Sequence, residues 1–258
     1  MLRAIKELYK YRNLVGYLIK LDLKLRYRGS VLGFLWTLLN PLLLMLVMAA
    51  VFSRFGRIEE KNYALFLLAG LMIWMFFQQS VEAGLAAILR QRSLLQKIYV
   101  PKVIFPVTVV SSNLVNLAFF LVAYLVIAAF SSVGLLPTIP LVLPVLVMVY
   151  LISLGGALVM STLNVFFRDF THLTGAILRA GFYVTPILYS PTMFGDEAHF
   201  FLRLNPMYYP VVAARDVIYY GVVPGPDVWA IGFATGFAIL AVGLLVFVAN
   251  QTKLIYYA

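Results

Sequence analysis

Glu82 and Arg179 each stand inside a long apolar run, where an ionised side chain costs a few kcal/mol on insertion scales. Glu82 lies eight residues before Arg90 and Arg179 eight residues after Thr171. At 1.5 Å of helical rise per residue, each sits on the order of 12 Å from the near end of its run. Equal depth permits an ion pair between them. The alternatives are side chains that snorkel, or a polar translocation path that also includes Gln78 and Gln79, one turn before Glu82. A second group, Lys24, Arg26 and Arg28, occurs in LKLRYRGSVLGFLWTLLNPLLLM, residues 23–45, just ahead of the first apolar run. Such a row either fixes topology or meets phosphate, for which arginine is a strong and directional partner. Little else could do chemistry. Cysteine is absent, and His172 and His199, the only histidines, are far apart in sequence. No G-x-x-x-x-G-K-[ST] loop and no aspartate-rich metal and diphosphate motif occurs. Catalysis by this chain is not expected.

The elements that must carry these residues are membrane helices. Apolar residues make up 63% of the 258 and charged ones 12%, about half the charged share of a soluble domain. Six runs are long enough to be spans: 31–52, 63–89, 103–130, 141–167, 171–189 and 228–250. Asn40-Pro41 falls inside the first, where the missing N–H permits a kink. With the N-terminus in the cytoplasm, 14 of the 20 Lys and Arg fall on the inside and five on the outside, which places both termini in the cytoplasm. The net charge of +10 is therefore a topology signal, not a nucleic-acid footprint, because the cations are dispersed over juxtamembrane segments. The expected fold is an all-α integral membrane protein with one six-span domain at 31–258. Residues 1–30 form a cytoplasmic interfacial helix that is expected to stay in the mature protein, since it lacks a signal-peptide core.

That interfacial helix has Leu8, Tyr11, Leu14, Val15, Leu18, Leu21 and Leu25 on one face and Lys6, Lys10, Lys20 and Lys24 on the other. The lysine row suits anionic headgroups. Glu7 and Asp22 interrupt the apolar stripe, so either a protein surface covers that face or the helix is frayed and solvated. At the other end, Pro186 and Pro191 interrupt the fifth run, and Asn205-Pro206 is a cap followed by proline that opens a helix through about Tyr220. The region 190–227 is expected to hold re-entrant or interfacial helices. Tyr208, Tyr209, Tyr219 and Tyr220 would form either an aromatic belt at headgroup depth or an external gate.

The ordered stretches LKLRYRGSVLGFLWTLLNP (23–41), FLLAGLMIWMFFQQS (66–80), SLLQKIYVPKVIFP (93–106), VFFRDFTHL (165–173), TPILYSP (185–191) and LNPMYYPVVAARDVIYYG (204–221) cover nearly the whole chain. Together they resemble the permease subunit of type-2 ABC exporters of bacterial polysaccharides, such as O-antigen, capsule and teichoic-acid exporters. Lys102 and Arg92 depart from the commoner arginine and asparagine.

The resemblance implies a homodimer in the bacterial cytoplasmic membrane with two separate ABC ATPase subunits, which would bind the ATP and Mg²⁺. No cofactor is expected in this chain. It implies that residues 90–102 contain a coupling helix that docks on the ATPase, with Leu94, Leu95 and Ile98 as its apolar face and Arg92 and Lys97 as charged flanks. Arg168-Asp169 matches the family's pair at the end of span four, where Asp169 can cap span five and Arg168 can anchor at headgroups. Lys24, Arg26 and Arg28 would meet the diphosphate of a lipid-linked polysaccharide. The implied function is ATP-driven export of that polymer. The alternatives are a type-2 permease for a drug or small lipid, a membrane enzyme of lipid-linked sugar metabolism, and a membrane scaffold.

Overall fold

The computed structural model describes residues 7, 9–26, 28–29, 33, 35–55, 62–91, 100–131, 133–134, 136–193 and 195–252. Among these residues there is no strand. Nine α-helices follow one another among the described residues: α1 (Arg12–Arg26), α2 (Leu35–Phe55), α3 (Tyr63–Ala87), α4 (Ile104–Ala129), α5 (Val142–Phe166), α6 (Phe170–Val184), α7 (Asp196–Arg203), α8 (Tyr208–Arg215) and α9 (Pro226–Asn250). A π-helical turn at Asp216–Tyr220 extends α8. Among the described residues four segments are long and apolar enough to cross a membrane: α3, α4, α5 with its leading turn, and α9. The ends of these helices fall within two residues of the apolar runs. Helix α2 is apolar over Leu38–Val51 and runs unbroken through Asn40-Pro41, so the proline does not end the helix.

Helix α6 departs most from the expected spans. It has 15 residues, about 22 Å, and stops at Val184. Thr185 is extended, with ψ of 134°, because the ring of Pro186 excludes the preceding residue from the helical region. Residues 185–188 are buried although they are not helical. Asp169 occupies the N-cap position of α6, but its carboxylate makes no capping bond; its backbone carbonyl receives His172 and Leu173 instead.

Helix α3 is the axis of the molecule and is buried along most of its length. It packs on α4 and α5, with α2, α6 and α8 closing the remaining sides. Contact between neighbours is close enough to need glycine. A Cβ on Gly84 would lie 2.7 Å from that of Ala157, and one on Gly243 would lie 2.5 Å from the Gly155 carbonyl, so α3, α5 and α9 meet backbone to backbone. Helix α1 lies on the start of α4: Leu18 packs with Ala87, Val100, Ile104 and Phe105, flanked by Tyr11, Leu14 and Val15. The apolar stripe of α1 is thus covered in part by the same chain, and Asp22 on its edge pairs with Arg26 at 2.8 Å. Leu25, placed on that stripe by the helical wheel, is exposed.

Candidate functional site

Polar groups on the outward faces of α3 and α6 form the first part of the site. The Trp74 indole N–H donates to Gln78 Oε1 at 3.2 Å, and Gln78 Nε2 donates to Glu82 Oε1 at 3.0 Å. The spacing of four puts the three side chains in one row along α3. Gln79 lies beside the row and is half-buried, while Glu82 is exposed. Arg179 is exposed on α6, which packs along α3 through the Trp74 ring and Gly181. Among the described residues Glu82 and Arg179 form no ion pair. Equal depth made pairing possible, but both side chains are exposed and Glu82 is held by Gln78. What remains is a row of half-buried amides with an exposed carboxylate and guanidinium, groups that lipid would penalise.

The basic approach divides in two. Lys24 and Arg28 are exposed. Arg26 instead pairs with Asp22 and donates from Nη1 to Asn113 Oδ1 at 2.7 Å. Arg92, Leu94, Leu95, Lys97 and Ile98 lie outside the described residues. The stems on either side are well packed: Ile88 and Val100 are buried. Lys102, just after the returning stem, donates to the backbone carbonyl of Gln251 at the end of α9, and burial lowers its ammonium pKa.

At the opposite end, the tyrosines take unequal roles. Tyr208, Tyr209 and Tyr219 are buried, and only Tyr220, 43% exposed, reaches the surface. The Tyr208 hydroxyl is 2.8 Å from His199 Nε2, that of Tyr209 donates to the Arg203 carbonyl at 3.0 Å, and that of Tyr219 accepts from the Asn62 amide at 3.2 Å. Three of the four expected belt or gate tyrosines are therefore packing residues with engaged hydroxyls. The expected helix from Asn205 to Tyr220 is also more broken than its pattern indicated. Asn205 Oδ1 accepts from the Met207 amide at 2.9 Å in a turn ahead of the helix and is not its cap: α8 begins at Tyr208 with Met207 at the N-cap position, and the π turn ends at Gly221 in the left-handed region, φ +70°.

Arg215 organises this end, and the sequence reading counted it only as an external loop cation. It is 2% exposed. Its Nε donates to the Phe66 carbonyl at 3.3 Å, Nη1 to those of Pro186 and, at 3.2 Å, Tyr189, and Nη2 to that of Ile187. Its Cζ lies 3.6 Å from the centre of the Phe66 ring, and Gly70 leaves room for Nη2, which a Cβ there would approach to 2.9 Å. The Tyr63 hydroxyl supplies the remaining link, to the Leu188 carbonyl at 2.9 Å. Every carbonyl from Pro186 to Tyr189 thus has a donor, which is what allows non-helical backbone to be buried here. The available signal was an arginine flanked by Val211, Ala213, Ala214, Val217 and Ile218, too apolar a setting for a solvated loop cation. Next to it, Asp216 has its carboxyl pKa raised to about 6 by burial, with Arg215 opposing the shift.

The ABC-2 type transporter family matches residues 13–219. Over 211 residues the chain is 40% identical to the O-antigen export system permease protein RfbA of Myxococcus xanthus, covering 80% of each chain. It is 31% identical over 219 residues to two proteins of the same name from Klebsiella pneumoniae, covering 81% of this chain and 83% of each relative.

Proposed function

The chain belongs to the ABC-2 type transporter family, and on that premise we propose that it moves a lipid-linked polysaccharide, such as O-antigen, across the bacterial cytoplasmic membrane as the transmembrane subunit of an ATP-driven exporter. It is a multi-pass membrane protein and a transporter subunit, not an enzyme. The observation that carries the polymer reading is the polar row of half-buried Gln78 and Gln79 and exposed Glu82 on α3, with exposed Arg179 on α6. A row of hydrogen-bonding groups on helices that are otherwise apolar suits passage of a hydroxyl-rich chain, and it would be costly against lipid. In a homodimer the outward face of α6 meets its copy, so that this row borders a central path and is shielded from lipid on both sides. Lys24 and Arg28 suit the arriving diphosphate at the inner leaflet, and Tyr220 is the one gate tyrosine with an exposed ring.

Six crossings fit this reading. The four long helices are joined by α2 and by α6, whose short helix is completed by the buried stretch 185–189; α7 and α8 then lie as interfacial or re-entrant helices near the outer face. The distribution of Lys and Arg supports both termini in the cytoplasm. The coupling helix within residues 90–102 docks on an ABC ATPase subunit, one of two that bind the ATP and Mg²⁺; Leu94, Leu95 and Ile98 fill the groove while Arg92 and Lys97 flank it.

The test removes the permease from cells and restores it in two forms. Its loss is expected to abolish surface polysaccharide and leave lipid-linked polymer on the cytoplasmic side. Wild type is expected to restore export, whereas Leu94→Asp with Leu95→Asp inserts normally but neither exports polymer nor co-purifies with the ATPase, because two charges enter an apolar contact. Wild-type surface polysaccharide without the permease would overturn the reading. Normal recovery of the complex by the double variant would remove the docking assignment.

A further inference from the structure

Helix α1 rests on both stems of the segment 92–99. Leu18 packs with Ala87 at the end of α3, with Val100, and with Ile104 and Phe105 at the start of α4. The chain leaves toward the segment at Gln91 and returns at Val100, so one apolar face of α1 touches the departing and the returning side. The far end of α1 is held by polar bonds. Arg26 pairs with Asp22 at 2.8 Å and donates to Asn113 at 2.7 Å, and the Asn113 amide donates to Ser80 Oγ at 3.3 Å. Asn113 and Ser80 are 1% and 0% exposed. A guanidinium from the first helix therefore reaches a buried site two and a half turns into α4 and is linked there to α3.

Between these two attachments the packing is incomplete. A cavity of about 70 Å³ lies under α1, lined by Leu18, Leu21, Asp22, Leu25, Gln91 and Thr108 among others. The Thr108 hydroxyl is buried there with no hydrogen-bond partner among the described residues. This cavity is half open to the surface and forfeits contacts that a closed core would make, so a shift of α1 into it loses little packing.

We propose that Arg26 is a positioning residue for the 92–99 segment: the chain Asp22, Arg26, Asn113, Ser80 latches α1 onto the bundle, and its release lets α1 move over the cavity and carry both stems together. This rests on the reading of 92–99 as the docking segment. Arg26, itself exposed, then acts through its hold on α1, and Lys24 and Arg28 are the exposed cations outside the latch that suit phosphate.

The chain has no cysteine, so spin labels can be placed at will. Labels at Lys20 on α1 and Val122 on α4, both exposed, report the position of α1 in lipid nanodiscs, with hydrogen exchange of α1 amides as a second readout. Asn113→Leu removes the acceptor and is expected to raise α1 exchange tenfold or more and broaden the label distance. Asn113→Asp offers a charged acceptor and is expected to slow exchange and narrow the distance. Ser80→Ala, which leaves Arg26 in place, should loosen α1 less. In complex with the ATPase, both Asn113 variants are expected to cut polymer exported per ATP hydrolysed fivefold or more at equal folded protein, since a latch must both hold and yield. Identical exchange and distances in wild type and all three variants would overturn the latch. Opposite shifts in α1 with unchanged export per ATP would overturn its role in coupling. Exchange on the isolated permease separates these results from a failure of the exporter reading, which would appear as a wild-type complex that moves no polymer.

Discussion

Replacing Arg215 tests whether one buried guanidinium holds the non-helical stretch that follows α6. Arg215→Met keeps an unbranched apolar stem but removes the guanidinium over Phe66 and the donors to the carbonyls of Phe66, Pro186, Ile187 and Tyr189. A stranded buried carbonyl costs roughly 1 to 3 kcal/mol. Two effects offset part of the sum: the burial cost of the charge disappears, and the loop can relax toward water. The expected net loss is about 4 kcal/mol, which for a chain of this size corresponds to a drop of about 10 °C in unfolding midpoint. Arg215→Lys restores charge but not the planar fork, so it is expected to recover less than half of the loss. The assay is thermal unfolding of purified permease in one detergent at one scan rate, with cysteine accessibility at position 187 as a local probe. Both variants melting within about 2 °C of wild type, with position 187 still protected, would refute the argument that these carbonyls depend on Arg215.

The helix contacts, the tyrosines and the buried carboxyl each make a separate prediction. Gly243→Ala puts a Cβ 2.5 Å from the Gly155 carbonyl and should destabilise by roughly 1 to 3 kcal/mol, read as a lower melting temperature; an unchanged value would mean that α5 and α9 separate at no cost. Tyr208→Phe and Tyr219→Phe should each lose roughly 0.5 to 1.5 kcal/mol of stability. A change in export or ion leak in Tyr220→Ala at normal protein level would mark it as part of the outer closure. The Asp216 carboxyl titrates near 6 in the fold against 3.8 in its ordinary state, so its protonated form is the one the fold favours. That contribution is complete below pH 3.8 and is lost as pH rises through 6. Wild type should therefore melt higher at pH 5 than at pH 7.5, and Asp216→Asn should flatten that part of the profile; an identical pH profile in the two proteins would contradict burial of the charge.

Local chemistry made the helices legible. Apolar length set the ends of α3, α4, α5 and α9 to within two residues, the alternation of apolar and lysine faces marked α1, and the ring of Pro186 announced the stop at Val184. These depend on neighbours within a turn or two, which a sequence displays directly. Partners did not follow in the same way. Arg215 binds carbonyls 29 residues away at Pro186 and 149 away at Phe66, and no periodicity encodes which arginine such a loop will enclose. Glu82 and Arg179 illustrate the converse: matching depth is a one-dimensional property, whereas pairing requires both side chains to face the same gap, which is fixed by how α6 is rotated against α3. The same rotation around α8 decided that Tyr208, Tyr209 and Tyr219 would turn inward while Tyr220 turned out. Hydrophobicity thus determined how much of the chain enters the membrane, while the azimuth of each helix, set by close contacts such as Gly155 with Gly243, determined which polar groups meet inside it.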